Sequence, residues 1–440
     1  MSGLVLLSAL IMIYGFYMFF FWRSTRKNRT SSAATQRIPD AGFEGEHEIV
    51  HARLAHFPSQ IGHWSISSME IKHKQEGSAM MFRNAIRLLL IGVVLFNVSK
   101  AQQSTPLAVS GFVDAYYSRN FNQPANRSDK LRNFDVLDNQ VNLSLVEVVL
   151  QKKSEPIGFR IDADFGTAND MVQGIAPYGT TSYNTLTNIQ QAYLTGVIPI
   201  GAGLTVDAGK FVTHMGYEVI ESKDNWNYSR SLLFAWAIPY YHTGIRLTYP
   251  IASNFTAALH VVNNWNSTID NNDFKSLGLA LNYAVTSSTT FTLNVMDGVE
   301  ESNPNIAGKK TVFDLILTHQ FTDAFALTLN GDYGDERTFG GLATWKGVAA
   351  YGRYAIDTVS AVAVRLEIFD DPLGYATALN VPKLDVKEVT ATYEYKFSNS
   401  LLLRAEARYD LANAKIFDKK ANVNSQSNQP TLLVGAVVMF

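Results

Sequence analysis

The chain has 440 residues, of which 47% are hydrophobic and 12% aromatic, and a formal net charge of −2. Mean hydropathy is −0.02, too polar for a bundle of membrane-spanning helices but suited to strands with one face in lipid and one in water. The near-zero charge gives no footprint for nucleic acid, and the absence of cysteine excludes disulfides, thiol catalysis and thiolate metal sites.

The chain opens with an uncharged apolar run, Leu4 to Trp22, followed by Arg23, Arg26, Lys27 and Arg29. By itself this reads as an apolar helix over 4–22 with its basic end in a cytoplasm. Residues 24–78 are polar and without periodicity. A second start follows at Met80-Met81: Arg83 and Arg87 form a basic region, Leu88 to Phe96 an apolar one, and Ser99-Lys100-Ala101 a small-x-small cleavage site. A signal peptide has no use inside a protein. The expectation is therefore that translation begins at Met80 or Met81 and that 1–79 reflects a misplaced start codon. Residues 80–101 would be the signal peptide, cleaved after Ala101, and 102–440 the exported domain. The competing reading is a real anchor and linker.

After Pro106 the period changes. Runs of about ten residues alternate apolar and polar, the mark of strands with two different faces. In Phe159 to Phe165 one face holds Arg160, Asp162 and Asp164. In Leu403 to Asp410 the charged face holds Arg404, Glu406, Arg408 and Asp410. The reading places strands at 107–118, 139–151, 157–166, 187–198, 203–212, 240–249, 254–265, 274–284, 289–297, 311–321, 324–333, 342–354, 359–369, 385–397, 400–410 and 430–440. Short links (250–253, 286–288, 322–323, 398–399) alternate with long ones (119–138, 167–186, 213–239, 298–310, 370–384, 411–429). A soluble sandwich has no reason to alternate this way. Barrels that span an outer membrane have short periplasmic turns and long outer loops. Strands running toward short turns end in Tyr249, Tyr283, Phe321, Tyr354, Phe397 and Phe440, a headgroup-level aromatic belt. The fold expected is all-β: a transmembrane, antiparallel, up-and-down β-barrel of about 16 strands, within a range of 14–18.

The last segment, Leu432 to Phe440, ends in Phe with apolar residues at every second position. It resembles the targeting strand of bacterial outer-membrane proteins, which implies Phe440 as the assembly signal read by the barrel-assembly machinery. Together with Gly111-Phe112-Val113-Asp114-Ala115-Tyr116-Tyr117, it resembles the OmpL-like β-barrel porins common in Bacteroidota. The resemblance spans 107–440. It implies a Gram-negative outer-membrane location and little about the solute.

About sixteen strands enclose an aqueous channel, whereas eight are filled by side chains. The function expected is a porin for passive diffusion of small hydrophilic solutes, with no catalytic residues, cofactor or metal. The alternative is a barrel with an enzymatic or adhesive role in its loops or rim. Alternation predicts pore-lining Arg160, Asp162, Asp164, Asp207, Arg365, Glu367, Glu388, Glu394, Arg404, Glu406 and Arg408. The mixture of signs argues against a strong ion filter, and the bland alternative is that these charges pair along the wall. The third long loop, 213–239, carries His214, Glu221, Lys223, Asp224, Trp226 and Arg230 and the apolar run 232–236. By resemblance to general porins it is the constriction candidate, and an outward loop packed on the rim is the rival. His214 and His242 read as too isolated for a metal site. Asp164-Phe165-Gly166 echoes a kinase motif without its companion motifs. Expected partners are outer-membrane lipid, the assembly machinery, small solutes and further copies in a homotrimer, with no nucleic acid.

Overall fold

The structure is a computed structural model that describes residues 106–153, 157–174, 185–270, 272–300, 308–338 and 340–440. The apolar helix at 4–22, the misplaced start and the signal peptide over 80–101 lie outside the described residues.

Among the described residues, sixteen strands form one closed antiparallel barrel. They are β1 (Ala108–Asn120), β2 (Val141–Lys152), β3 (Ile157–Phe165), β4 (Ile189–Ile198), β5 (Leu204–Val212), β6 (Tyr241–Ala252), β7 (Phe255–Val262), β8 (Ser276–Thr286), β9 (Thr289–Val299), β10 (Lys309–Gln320), β11 (Phe325–Thr338), β12 (Gly341–Ala355), β13 (Ser360–Asp371), β14 (Leu384–Ser398), β15 (Leu401–Ala412) and β18 (Asn428–Met439). The other two, β16 (Phe417–Lys419) and β17 (Asn422–Gln426), make a small hairpin within the last long loop. Each barrel strand pairs with its sequence neighbours, and β1 closes the ring on β18 from Phe112↔Met439 to Asn120↔Thr431. Closure leaves no unpaired edge, which the hydrocarbon would penalise by several kcal/mol per exposed peptide group.

Expected and observed strands agree closely, with one clear departure. The reading ended β11 at residue 333, but pairing continues to Thr338↔Gly341. One outer link is thus only two residues long. Its flanks, Gly334 to Thr338, have no apolar face to read, and backbone pairing carries them together with the Lys310–Glu336 ion pair at 2.7 Å.

The burial pattern inverts that of a soluble protein. On β13, Val362, Val364, Leu366 and Ile368 are exposed, while Arg365 and Glu367 between them are buried. Lipid solvates the outer apolar face, so the strand needs no protein core there. Of the predicted aromatic belt, Tyr283, Phe321, Tyr354, Phe397 and Phe440 are exposed; Tyr249 departs from it and is buried. An apolar cluster does exist, but inside the barrel. Loop residues Phe134, Leu232, Leu233, Phe234 and Ala237 pack there with inward Trp345 and Phe369.

Candidate functional site

The 213–240 connection builds this interior. Its run Leu232-Leu233-Phe234-Ala235-Trp236 is too apolar to lie in water, and lipid would leave its peptide groups without partners. The chain folds into the barrel instead. Leu233–Ala237 winds into one π-helical turn with Leu233, Phe234, Ala235 and Ala237 buried.

Backbone entering a lumen needs hydrogen-bond partners, and the charged wall supplies them. Glu367 accepts the Leu232 and Leu233 N–H groups, both at 2.7 Å. Glu406 accepts those of Tyr228 and Ser229 at 2.6 and 3.0 Å. Arg365 donates to the Ser229 carbonyl at 2.7 Å, and Arg408 to that of Arg230 at 2.6 Å. Arg404 donates to the carbonyls of Ser222 and, at 2.6 Å, Asn225. From β10 Asp314 accepts Gly216 N–H at 2.8 Å, and from β1 Asp114 accepts the hydroxyls of Ser222 and Tyr228 at 2.6 and 2.8 Å. The wall is also cut back for the loop. A Cβ on Gly435 would stand 2.6 Å from the Tyr228 ring, and one on Gly347 2.6 Å from Leu233 Cδ2.

The eleven wall charges named from alternation therefore divide. Arg365, Glu367, Glu388, Arg404, Glu406 and Arg408 are buried, and all but Glu388 hydrogen-bond the loop backbone; Glu388 pairs with Arg365 at 2.6 Å and Arg408 at 3.1 Å. Glu394 joins Arg404 at 2.6 Å and Arg353 at 3.1 Å. On the other side Asp162 holds Arg160 at 2.9 Å, and Asp207 holds Arg246 at 2.8 Å. Asp164 stands opposite Glu147 in the β2–β3 register, buried, with neither carboxylate oxygen hydrogen-bonded.

The loop candidates also separate. Arg230 turns back on its own loop, donating to the carbonyls of Val219, Tyr228 and Ile220 while its guanidinium lies 4.4 Å from the Phe134 ring centre. Trp226 packs edge-on to Tyr217. Glu221 accepts from Gln190 at 2.6 Å, and Lys223 pairs with Asp224 at 2.5 Å. His214 corrects the sequence reading: it and His242 are not isolated. Their ring centres are 6.0 Å apart, and His214 stacks on His260 at 4.1 Å, because β6 and β7 put Arg246 opposite His260 and bring both histidines under the loop's first turn. Burial lowers the His214 pKa to about 4, with Arg246 adding to the effect and the Val295 carbonyl and Asp314 opposing it. Among the described residues no group of three metal-ligating side chains could hold a metal ion.

Several lumen groups escaped the sequence reading. Glu218 pairs with Arg365 at 2.7 Å, but nothing local distinguishes it from other loop acids. Asp114, Arg246 and Arg353 sat on alternating strands and could have been found by the rule that found Arg160. The lumen is not filled on every side. The side chains of Arg160, Arg246 and Arg353 keep 30%, 23% and 28% of their surface exposed.

Residues 106–440 match the family described as "Putative beta-barrel porin-2, OmpL-like". No curated protein matches the chain in sequence. Among solved structures, it is similar to an anion-selective porin from Comamonas acidovorans at 9% identity and TM-score 0.52, covering 76% of this chain and 99% of that one. OmpF of Salmonella typhi, in complex with daunomycin, matches at 10% identity and TM-score 0.51, over 77% and 98% of the two chains. OmpT of Vibrio cholerae in its trimer form matches at 11% and 0.51, over 77% and 100%. At these identities the likeness is one of fold.

Proposed function

This chain belongs to the β-barrel porin-2, OmpL-like family of outer-membrane porins, and from that premise we propose that it passes small hydrophilic solutes by passive diffusion through a lumen narrowed by residues 213–240. The observation that carries the reading is the loop's attachment to charges on many wall strands while the arginines of β3, β6 and β12 stay in contact with water. A loop so anchored works as a fixed constriction: it sets the cross-section, and the water-facing side chains set which solutes pass. Its role is conduction, not catalysis, since the buried charges serve loop backbone instead of converging on a cleft. Purified protein in planar bilayers should give stepwise conductance; a membrane that stays sealed after insertion refutes the reading.

The pore-lining role belongs to Arg160, Arg246 and Arg353, backed by the covered carboxylates of Asp162, Asp207 and Glu394, while Arg365, Glu367, Glu388, Arg404, Glu406 and Arg408 hold the constriction in place. Natural translation starts at Met80 or Met81, with export through a signal peptide cleaved after Ala101; a peptide from residues 24–79 in mass spectra of native protein would overturn this. Phe440 is the assembly signal. Its backbone exchanges two hydrogen bonds with Gly111 while its ring is exposed to the membrane side. Assembly as a homotrimer is the companion proposal, supported by the trimer form of the Vibrio cholerae relative in fold. Sedimentation in mild detergent at the mass of a single copy would exclude it.

A further inference from the structure

The water-facing charge of the lumen differs from its total charge. Three ion pairs border the open part, and in each the cation is exposed and the anion covered. Arg160 is 30% exposed and Asp162 0%; Arg246 is 23% and Asp207 7%; Arg353 is 28% and Glu394 9%. The asymmetry is built in, because each carboxylate has a second partner behind it. Asp162 also accepts from Gln191, Asp207 from the Thr195 hydroxyl, and Glu394 from Arg404. Each guanidinium spends only one or two of its five N–H donors on its carboxylate, leaving the rest for water or solute.

Their placement is consistent. Arg160 lies near the start of β3 and Arg353 near the end of β12, both ends on the short-turn rim, and Arg246 lies midway along β6. β3 and β6 form one side of the ring and β12 the other. Between them, apart from the buried Asp314 and Asp332, the inward wall toward the short-turn rim carries neutral polar residues such as Thr248, Thr256, Asn282 and Thr292, whose register follows Arg246. The loop contributes Glu221, Lys223 and Asp224, a net −1 against the three arginines. Of the other wall cations, Arg365, Arg404 and Arg408 are buried on loop carbonyls and counter-ions, Lys210 is buried, and Lys310 is paired with Glu336 at 2.7 Å.

We infer that the passage beneath the loop selects small anions, with Arg160, Arg246 and Arg353 as the groups that solutes meet. Carboxylate and phosphate oxygens suit the N–H groups that these planar guanidiniums leave unspent, oriented by the buried carboxylates and, for Arg246, by the Phe211 and Tyr193 rings beneath it. A carboxylate hidden in the wall cannot attract a passing cation as strongly as an exposed guanidinium attracts an anion. The inference rests on the porin reading and fails separately from it.

The test is the zero-current reversal potential of single channels under a KCl gradient. Wild-type channels should prefer chloride, and R160Q/R246Q/R353Q should bring the permeability ratio to about one or below while stepwise conductance persists. The single variants R160Q and R353Q should each move it part of the way, which keeps the test decisive if the triple variant does not fold. Conducting wild-type channels that prefer potassium or discriminate nothing overturn the inference, as does an unchanged ratio in folded variants. Absence of any conductance overturns the porin reading instead.

Discussion

At the scale of single residues, Arg365 shows why charge inside this barrel is structural. It is fully buried and bonds Glu218, Glu388 and the carbonyls of Ser229 and Arg230. Replacing it with Leu takes the guanidinium from two buried carboxylates, leaving Glu388 with Arg408 and Glu218 with the Ser231 N–H, at a cost of about 3 kcal/mol to loop docking. R365L should keep the barrel folded, expose the 213–240 loop to protease and raise channel conductance; a protected loop would contradict its anchoring role. Glu406→Gln is gentler. It keeps one acceptor for Tyr228 and Ser229 but loses the charge, weakening docking by about 2 kcal/mol. Gly435 tests shape instead of charge, since a side chain there meets the Tyr228 ring before any rotamer can clear it. G435V should displace Tyr228 and loosen the loop as R365L does, with no change in net charge.

At the scale of the element, the loop's first turn stacks His214 on His260 and sets it beside His242. Burial holds His214 near 4, below the roughly 6.5 of a free imidazole, so the docked turn binds fewer protons than the released one. Docking is then intact above about pH 6.5 and weakens up to roughly tenfold per pH unit as pH falls toward 4. Conductance recorded from pH 7 to pH 4 should grow noisier or larger in wild type, and H214Q should flatten that dependence. A wild-type channel indifferent to this range would show that the turn stays docked when charged. After burial, the titration faces Arg246, which resists protonation, and the Val295 carbonyl and Asp314, which favour it, with the His242 and His260 rings as neighbours.

At the scale of the whole molecule, barrel and loop are separable in energy. Closure of sixteen strands is carried by the pairing ladder and the lipid-facing residues, neither of which involves 213–240. Replacing 217–237 with a short Gly-Ser link should therefore preserve the heat-modifiable gel shift of a folded barrel and increase single-channel conductance. Loss of the shift would mean that the interior cluster of Leu232, Leu233, Phe234, Trp345 and Phe369 is needed for the barrel itself.

Period, turn spacing and aromatic phase determined the barrel, nearly every strand boundary and the inward face of each charged residue, because these are local consequences of a two-residue repeat between lipid and water. Even there the missing apolar face at 334–338 hid the end of β11, and the alternation that found Arg160 would also have yielded Arg246. The sequence left open whether 213–239 turns inward, and it separated His214 from His242. Those answers needed the tertiary structure, because they depend on which wall charges meet which loop peptides across the ring, with sequence separations above one hundred residues. The same holds for the sign of the lumen. Counting charges suggested balance, and only burial, which hides Asp162, Asp207 and Glu394 behind their arginines, decided what a solute would meet.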